Sequence, residues 1–267
     1  MSFEFYGLTG NPFRKDFDYH GNYFNSHDFH EAVSRLNYLK EVRGIGVIFA
    51  GPGMGKSLAL KSFSDSLNPN LFRTIYISFS TVTVPEFYRQ LCDEIGIIDV
   101  PGKTARVRAI KEHLSYTFKE KRQTVILILD EAQFLNTAIL TDIKMLMNFN
   151  YDTRNYFALI LCGEPRLKTT LSKEIHLSLR QRITVRYEFD GLNEDEVRDY
   201  ILYKIRLVGG TESIIDPAAI LAVTGYANGK ARVIDQIMSD ALELGTQKRL
   251  PTISSEVILA AIDNITL

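Results

Sequence analysis

Residues 44–50 read GIGVIFA, and they open onto Gly51-Pro52-Gly53-Met54-Gly55-Lys56-Ser57 and then onto a stretch with helical spacing. A short apolar run bounded by glycines predicts a strand buried on both faces. A Gly-rich turn between such a strand and a helix is the setting of a phosphate-binding loop. Its backbone N–H groups and the positive end of the helix dipole hold anionic oxygens with no side chain in the way. The loop spans Ala50 to Ser57, with Ala50 where the strict pattern has glycine, and Leu58 continues into the helix. Lys56 is expected to reach the β- and γ-phosphates, and the Ser57 hydroxyl to bind Mg²⁺. The bland alternative is a glycine-rich turn with no ligand.

The rest of the first 190 residues alternates strand and helix patterns. Helices are expected over 28–42 (with Ser26 as cap), 55–67, 84–95, 104–120 and 140–149. Strands are expected over 74–80, 124–130, 156–162 and 185–189. Five strands alternating with helices predict a parallel five-stranded sheet flanked by helices, the α/β class. Beyond Gly191 only helices are expected, over 193–207, 216–224, 230–244 and 254–265, with Pro217 at a first helical position. The predicted division is therefore an N-terminal arm and first helix over 1–43, an α/β core over 44–191 and a small all-helical lid over 192–267. The arm, broken by Gly7, Gly10, Pro12 and Gly21, reads as extended and packed on the core.

A second motif ends the strand at 124–130, where five apolar residues run into Asp130 and Glu131. Adjacent carboxylates at the carboxyl edge of a sheet stand where open α/β folds bind ligands. Asp130 is expected in the magnesium shell and Glu131 to orient the attacking water, so the pair implies ATP with Mg²⁺ and its hydrolysis. The two motifs are expected on adjacent strands. Two solvated acids at a strand end are the alternative.

Composition excludes more than it selects. With 45% hydrophobic and 24% charged residues the chain is an ordinary globular sequence. A net charge of −1 means that any nucleic-acid surface must be a local patch. Cys92 and Cys162 lie in apolar stretches with no partner at metal-ligand spacing, and read as buried thiols. There is no leader-like N-terminus and no apolar run of membrane-spanning length, so a cytoplasmic protein without membrane contact is expected.

These residues carry a family resemblance over nearly the whole chain. Tyr6-Gly7-Leu8 with Asn11-Pro12-Phe13, Ala50 to Ser57, Leu129-Asp130-Glu131-Ala132-Gln133, Gly163-Glu164-Pro165-Arg166-Leu167, Leu179-Arg180-Gln181-Arg182 and Gly229-Lys230-Ala231-Arg232 resemble AAA+ ATPases. Within that group the chain is similar to the ExeA/GspA-like branch and to transposition ATPases of the TniB, TnsC and MuB kind. The resemblance implies that Glu164 stands at a polar sensor position, although the family commonly has Gln there. It implies that Arg180 or Arg182, with Arg182 favoured, is an arginine finger acting on a neighbouring subunit's γ-phosphate. It also implies that Arg232 is a sensor arginine of the lid, beside Ala231 where the family often has Pro. It implies further that Pro12 and Phe13, with His27, form a wall against adenine; the alternatives are a cap on the sheet edge and, for His27, a surface helix-cap neighbour.

Two functions share this engine. One is an ATP-dependent ring or helical filament of the chain on double-stranded DNA that selects a transposition target and recruits a transposase. The other is an ExeA-like secretion-assembly ATPase or a protein-directed switch. The first is favoured because the secretion type needs a membrane span and an exported domain, and the sequence stops at Leu267 with neither. Lys103 and Arg106, after the Pro101-Gly102 break, are the first candidates for phosphate-backbone contacts, with Lys144 and Arg154 beside the helix after Glu131. Plain helical exposure is the alternative for all four.

Overall fold

The structure is a computed structural model that describes residues 3–17, 21–149 and 155–265. Five parallel strands form one sheet: β1 (Ile45–Phe49), β2 (Phe72–Ser78), β3 (Thr124–Asp130), β4 (Phe157–Gly163) and β5 (Ile183–Glu188), in the order β2-β3-β4-β1-β5. Every residue of β1, β3 and β4 is buried. A strand covered on both faces must be apolar throughout, which is why these three runs lack alternation. In β2 the pattern alternates, with Ile75 and Ile77 buried and Tyr76 and Ser78 exposed, as befits an edge.

The phosphate-loop strand and the carboxylate strand are not neighbours, contrary to expectation, because β4 lies between β3 and β1. Both still end at the same carboxyl edge, since all five strands run the same way.

Connecting the strands are α1 (His27–Val42), α2 (Lys56–Asp65), α3 (Val84–Ile95), α4 (Lys103–Lys119), α5 (Thr137–Leu146), α6 (Pro165–Ser172) and α7 (Leu177–Arg180). Ser26 caps α1 as expected, its Oγ accepting from Phe29 N at 3.2 Å. Helix α5 starts three residues earlier than the apolar spacing suggests, because the Asn136 side chain accepts from Ile139 N at 3.0 Å and sets the first turn. Helices α6 and α7 were not foreseen. The first begins with Pro165 at a first-turn position, and the second is a single turn too short to show periodicity.

The chain divides into two compact units. Glu31–Gly51 and Lys56–Phe189 make the sheet unit. The residues up to His30, the loop segment Pro52–Gly55 and the residues from Asp190 onward make the helical unit. The helical unit holds α8 (Glu194–Leu207), α9 (Pro217–Ala227), α10 (Ala231–Lys248) and α11 (Ser255–Ile265). A reciprocal cap starts α8: Glu196 N donates to Asn193 Oδ1 at 2.9 Å and Asn193 N to Glu196 Oε2 at 3.1 Å. Tyr6, Leu8 and Phe13 of the arm join the apolar core of this unit. Cys92 and Cys162 are both buried free thiols.

Candidate functional site

Leaving β1, the backbone continues its ladder for one more residue: Ala50 N donates to Gly163 O at 3.0 Å, and Ala50 is 2% exposed. Extended, buried backbone accepts a methyl group, so Ala50 fits where the strict pattern has glycine. The turns that need glycine come later, with φ of 79° at Gly53 and 95° at Gly55. Gly53 has a second constraint inside the helical unit. A Cβ there would lie 2.7 Å from the Cβ of Arg232, and Gly53 O accepts from Arg232 N at 3.1 Å. Arg232 sits in the first turn of α10 with its side chain exposed. Around these glycines Gly51 and Met54 are half-buried, and Pro52 is exposed. Ser57 is exposed and Leu58 half-buried in the first turn of α2.

In the sheet unit, Lys56 Nζ lies 2.5 Å from Asp130 Oδ1 and 3.3 Å from Glu131 Oε1. Burial works against the ammonium, but the hydrogen bond and charge of Asp130, with Glu131, more than offset it and raise the Lys56 pKa. A lysine whose folded pKa is raised adds stability that is present below the ordinary lysine range and lost as pH climbs through the raised value. Around neutrality the cation stays in place between the two acids.

Asp130, only 2% exposed, is fully engaged. Glu131 N donates to Oδ1 at 2.8 Å, and the Tyr76 hydroxyl donates to Oδ2 at 2.7 Å. Tyr76 pairs in register with Ile128, two residues before Asp130, so its ring and the Asp130 carboxylate share a sheet face. Burial, then the bond to Asp130, pushes the Tyr76 phenol well above its usual range, so it remains a donor.

Glu131 has φ 55° and ψ 33°, a left-handed conformation outside glycine's monopoly only at a cost of order 1–3 kcal/mol. Strain of this kind concentrates at functional positions. Its Oε2 accepts from Gln133 Nε2 at 2.5 Å, and Gln133 Oε1 accepts from Glu164 N at 3.1 Å. The Glu164 carboxylate is paired with Arg166 at 3.2 Å, and the Arg166 guanidinium lies 4.5 Å from the centre of the Phe134 ring. Glu164 thus meets the site through its backbone N–H.

Other expected residues are placed elsewhere. Arg180 donates through Nη1 to the carbonyls of Ser172 and, at 3.3 Å, of Leu171, closing the C-terminal end of α6. That guanidinium is bonded within its own chain. Arg182 follows α7 and is half-buried. Phe13 is 2% exposed in the core of the helical unit, with Lys204 Nζ 5.1 Å from its ring centre, and Pro12 is buried beside it in sequence. Phe13 packs in the apolar core of the helical unit. Lys103 pairs with Asp142 at 2.5 Å. Arg106 donates to Val100 O at 2.9 Å and Pro85 O at 3.2 Å, tying the start of α4 to α3. Lys144 donates to Ser178 Oγ at 3.0 Å. Arg154 lies outside the described residues.

Tyr76 and Gln133 are the site residues that sequence reasoning missed. The signal for Tyr76 was the alternation of β2; Gln133 stood in the quoted Asp-Glu-Ala-Gln run without a role.

Residues 39–171 match the family model of an AAA domain. The chain is 27% identical over 246 residues to the General secretion pathway protein A of Aeromonas hydrophila, a match covering 91% of this chain and 44% of that protein. It therefore spans less than half the length of this curated relative. Among solved structures it is similar to Cdc6p from Pyrobaculum aerophilum, with TM-score 0.69, 15% identity and coverage of 92% of this chain and 68% of that one. The Aeropyrum pernix ORC1 protein in complex with DNA gives TM-score 0.65 at 18% identity, covering 95% and 68%. The Thermotoga maritima RuvB Holliday junction branch migration motor gives 0.55 at 15%, covering 88% and 68%. At such identities these likenesses establish the fold, that of AAA+ P-loop proteins, with a helical C-terminal region.

Proposed function

We propose that this AAA-domain chain binds ATP with Mg²⁺, hydrolyses it, and uses the nucleotide to control assembly with copies of itself. The observation that carries the reading is the Lys56 ammonium held between Asp130 and Glu131 at the carboxyl edge of the sheet. A lysine on a flexible stem can move to phosphate oxygens, and the negative charge it leaves suits a divalent cation. Among the described residues no group of three or more His, Cys, Asp or Glu could hold a metal alone. That fits Mg²⁺, which is held by one or two carboxylates together with nucleotide phosphates and water. Ser57 and Asp130 would hold the ion, which would neutralise phosphate charge. Backbone N–H groups from Gly51 to Leu58 would cradle the phosphates, and Glu131 would orient the attacking water. Arg232 would reach the nucleotide from α10, Arg182 would act on a neighbour's γ-phosphate, and Glu164 would contribute through its backbone. We take residues 192–267 as the lid of an α/β core over 44–191, with 1–43 as arm and first helix.

A shared site makes activity depend on concentration. Phosphate release per chain should rise with protein concentration, and mixing Arg182→Ala with Lys56→Ala chains should restore hydrolysis that neither shows alone. Release per chain that is constant with dilution, with no restoration on mixing, would remove Arg182 from the site.

For the wider role, the internal bonds of Lys103, Arg106 and Lys144 favour a protein-directed switch over a filament that grips DNA through those residues. The relative whose printed name places it in general secretion points the same way. Because the match covers 44% of that protein, the choice rests on side chains and not on where the sequence stops. Among the described residues no helix is long and apolar enough to cross a membrane. We expect no retention on duplex DNA with ATP, ADP or neither at moderate salt. Cooperative, ATP-dependent retention that falls steeply with salt would instead establish the DNA-assembly reading, with a transposase as the partner class to seek.

A further inference from the structure

Glu131 has its two carboxylate oxygens on different partners: Oε1 faces Lys56 at 3.3 Å and Oε2 faces Gln133 Nε2 at 2.5 Å. Nucleotide would draw Lys56 toward phosphate, leaving the Gln133 bond to hold the carboxylate. That amide has only one workable orientation. Glu164 N–H needs an acceptor and meets Gln133 Oε1 at 3.1 Å, so the NH₂ end must turn to Glu131. The room for it is also set, because a Cβ on Gly163 would lie 2.6 Å from Gln133 Oε1. The end of β4 therefore fixes the amide, and the amide fixes a glutamate whose backbone is already left-handed.

We propose that Gln133 is the positioning residue for Glu131, anchored on the Glu164 N–H and the bare edge of Gly163, so that Oε2 stays occupied while Oε1 is freed toward water when Lys56 leaves. The role rests on the reading of Glu131 as the group that orients water. It gives the last residue of the Asp-Glu-Ala-Gln run a task, and it couples the water-orienting group to the β4 edge. An amide suits the task because it donates to Glu131 and accepts from Glu164 N–H at once. An acid in its place would set two carboxylates against each other, and an apolar side chain would leave both partners unsatisfied.

The test uses the whole chain with Gln133→Leu and Gly163→Ala, reading ATP turnover and, separately, the ¹⁵N-labelled side-chain amide signal of Gln133, assigned by its loss in Gln133→Leu. Gln133→Leu is expected to leave KM within about twofold and to lower kcat roughly 10- to 100-fold, as misplacement of a reacting group does. In a Glu131→Gln background the same change should lower the residual kcat no further, because the carboxylate it holds is already gone. Gly163→Ala should lower kcat in the same direction by crowding the amide, and Glu131→Ala should move the Gln133 amide signal by removing its acceptor. A loss of kcat in the double variant equal to the product of the two single losses, or an amide signal unmoved by Glu131→Ala, overturns the proposal, since a merely structural glutamine would lower kcat independently of that carboxylate. If the wild-type chain hydrolyses no ATP, the water-orienting reading fails by itself, and the amide signal still decides whether Gln133 holds Glu131.

Discussion

Glu131→Gln should retain Mg-ATP binding and lose turnover by roughly 10²- to 10⁴-fold, the range for removing a positioned proton acceptor. Lys56→Ala should instead weaken ATP binding roughly 10- to 100-fold, the equivalent of one hydrogen bond to a charged group. The asymmetry comes from geometry. Lys56 is the cation in the cluster that can meet phosphate, whereas Glu131, on the proposed reading, would keep one oxygen on Gln133 and turn the other, now 3.3 Å from Lys56, to water. Lys56→Ala also strips the ammonium from Asp130, which is 2% exposed, so it should lower thermal stability without nucleotide, while the isosteric Glu131→Gln should not. Equilibrium binding of a labelled ATP analogue, single-turnover hydrolysis and thermal melts separate these effects. Wild-type hydrolysis by Glu131→Gln would end its assignment.

The second large effect is expected far from the nucleotide loop in sequence, in the helical unit. Lys204 is 0% exposed, with Nζ 2.6 Å from Asp235 Oδ1, and the Tyr200 hydroxyl donates to the same carboxylate at 2.9 Å. Burial lowers the Lys204 pKa and raises that of Asp235, and in each case it outweighs the pairing that opposes it. Both directions say that ionising this pair away from water costs more than its attraction returns. Lys204→Met alone should therefore cost about 3 kcal/mol, the low end for breaking a buried pair, because Asp235, half-buried, is left without its cation. Lys204→Met with Asp235→Leu should recover most of that loss. The linkage follows the same signs. An aspartate with a raised folded pKa binds protons more readily in the folded state, so this group favours folding more as pH falls through its raised value. Denaturant melts of the two single variants and the double variant form the cycle that measures the coupling. A loss in the double variant equal to the sum of the two single losses would mean the pair is not coupled.

Much of the fold was legible because the relevant physics is local. The runs at 44–50, 124–130 and 156–162 were legible as strands buried on both faces, since short apolar runs without alternation, bounded by turn formers, are too brief for helices. The Gly-rich run predicted a tight turn, which the structure makes with positive φ at Gly53 and Gly55, and Lys56-Ser57 at a helix start pointed to an anion site. Helix α3 falls on the expected 84–95, its start held by Thr83 N and Oγ donating to Glu86 Oε2 and its far end closed by Gly96 in a left-handed conformation.

What the sequence by itself determined, then, was most of the elements and the make-up of the loop and the two acids: each depends on backbone sterics and on neighbours within a few positions. Only the tertiary structure decided that β4 separates the two motif strands, that Tyr76 and Gln133 hold Asp130 and Glu131, and that the Arg180, Lys103 and Arg106 side chains bond to groups of their own chain. Those outcomes depend on strand order, on register and on which donor lies within about 3 Å of which acceptor. Hydrogen bonds are short-ranged and directional, so partners 54 residues apart, such as Tyr76 and Asp130, carry no mark of each other until the sheet sets them side by side.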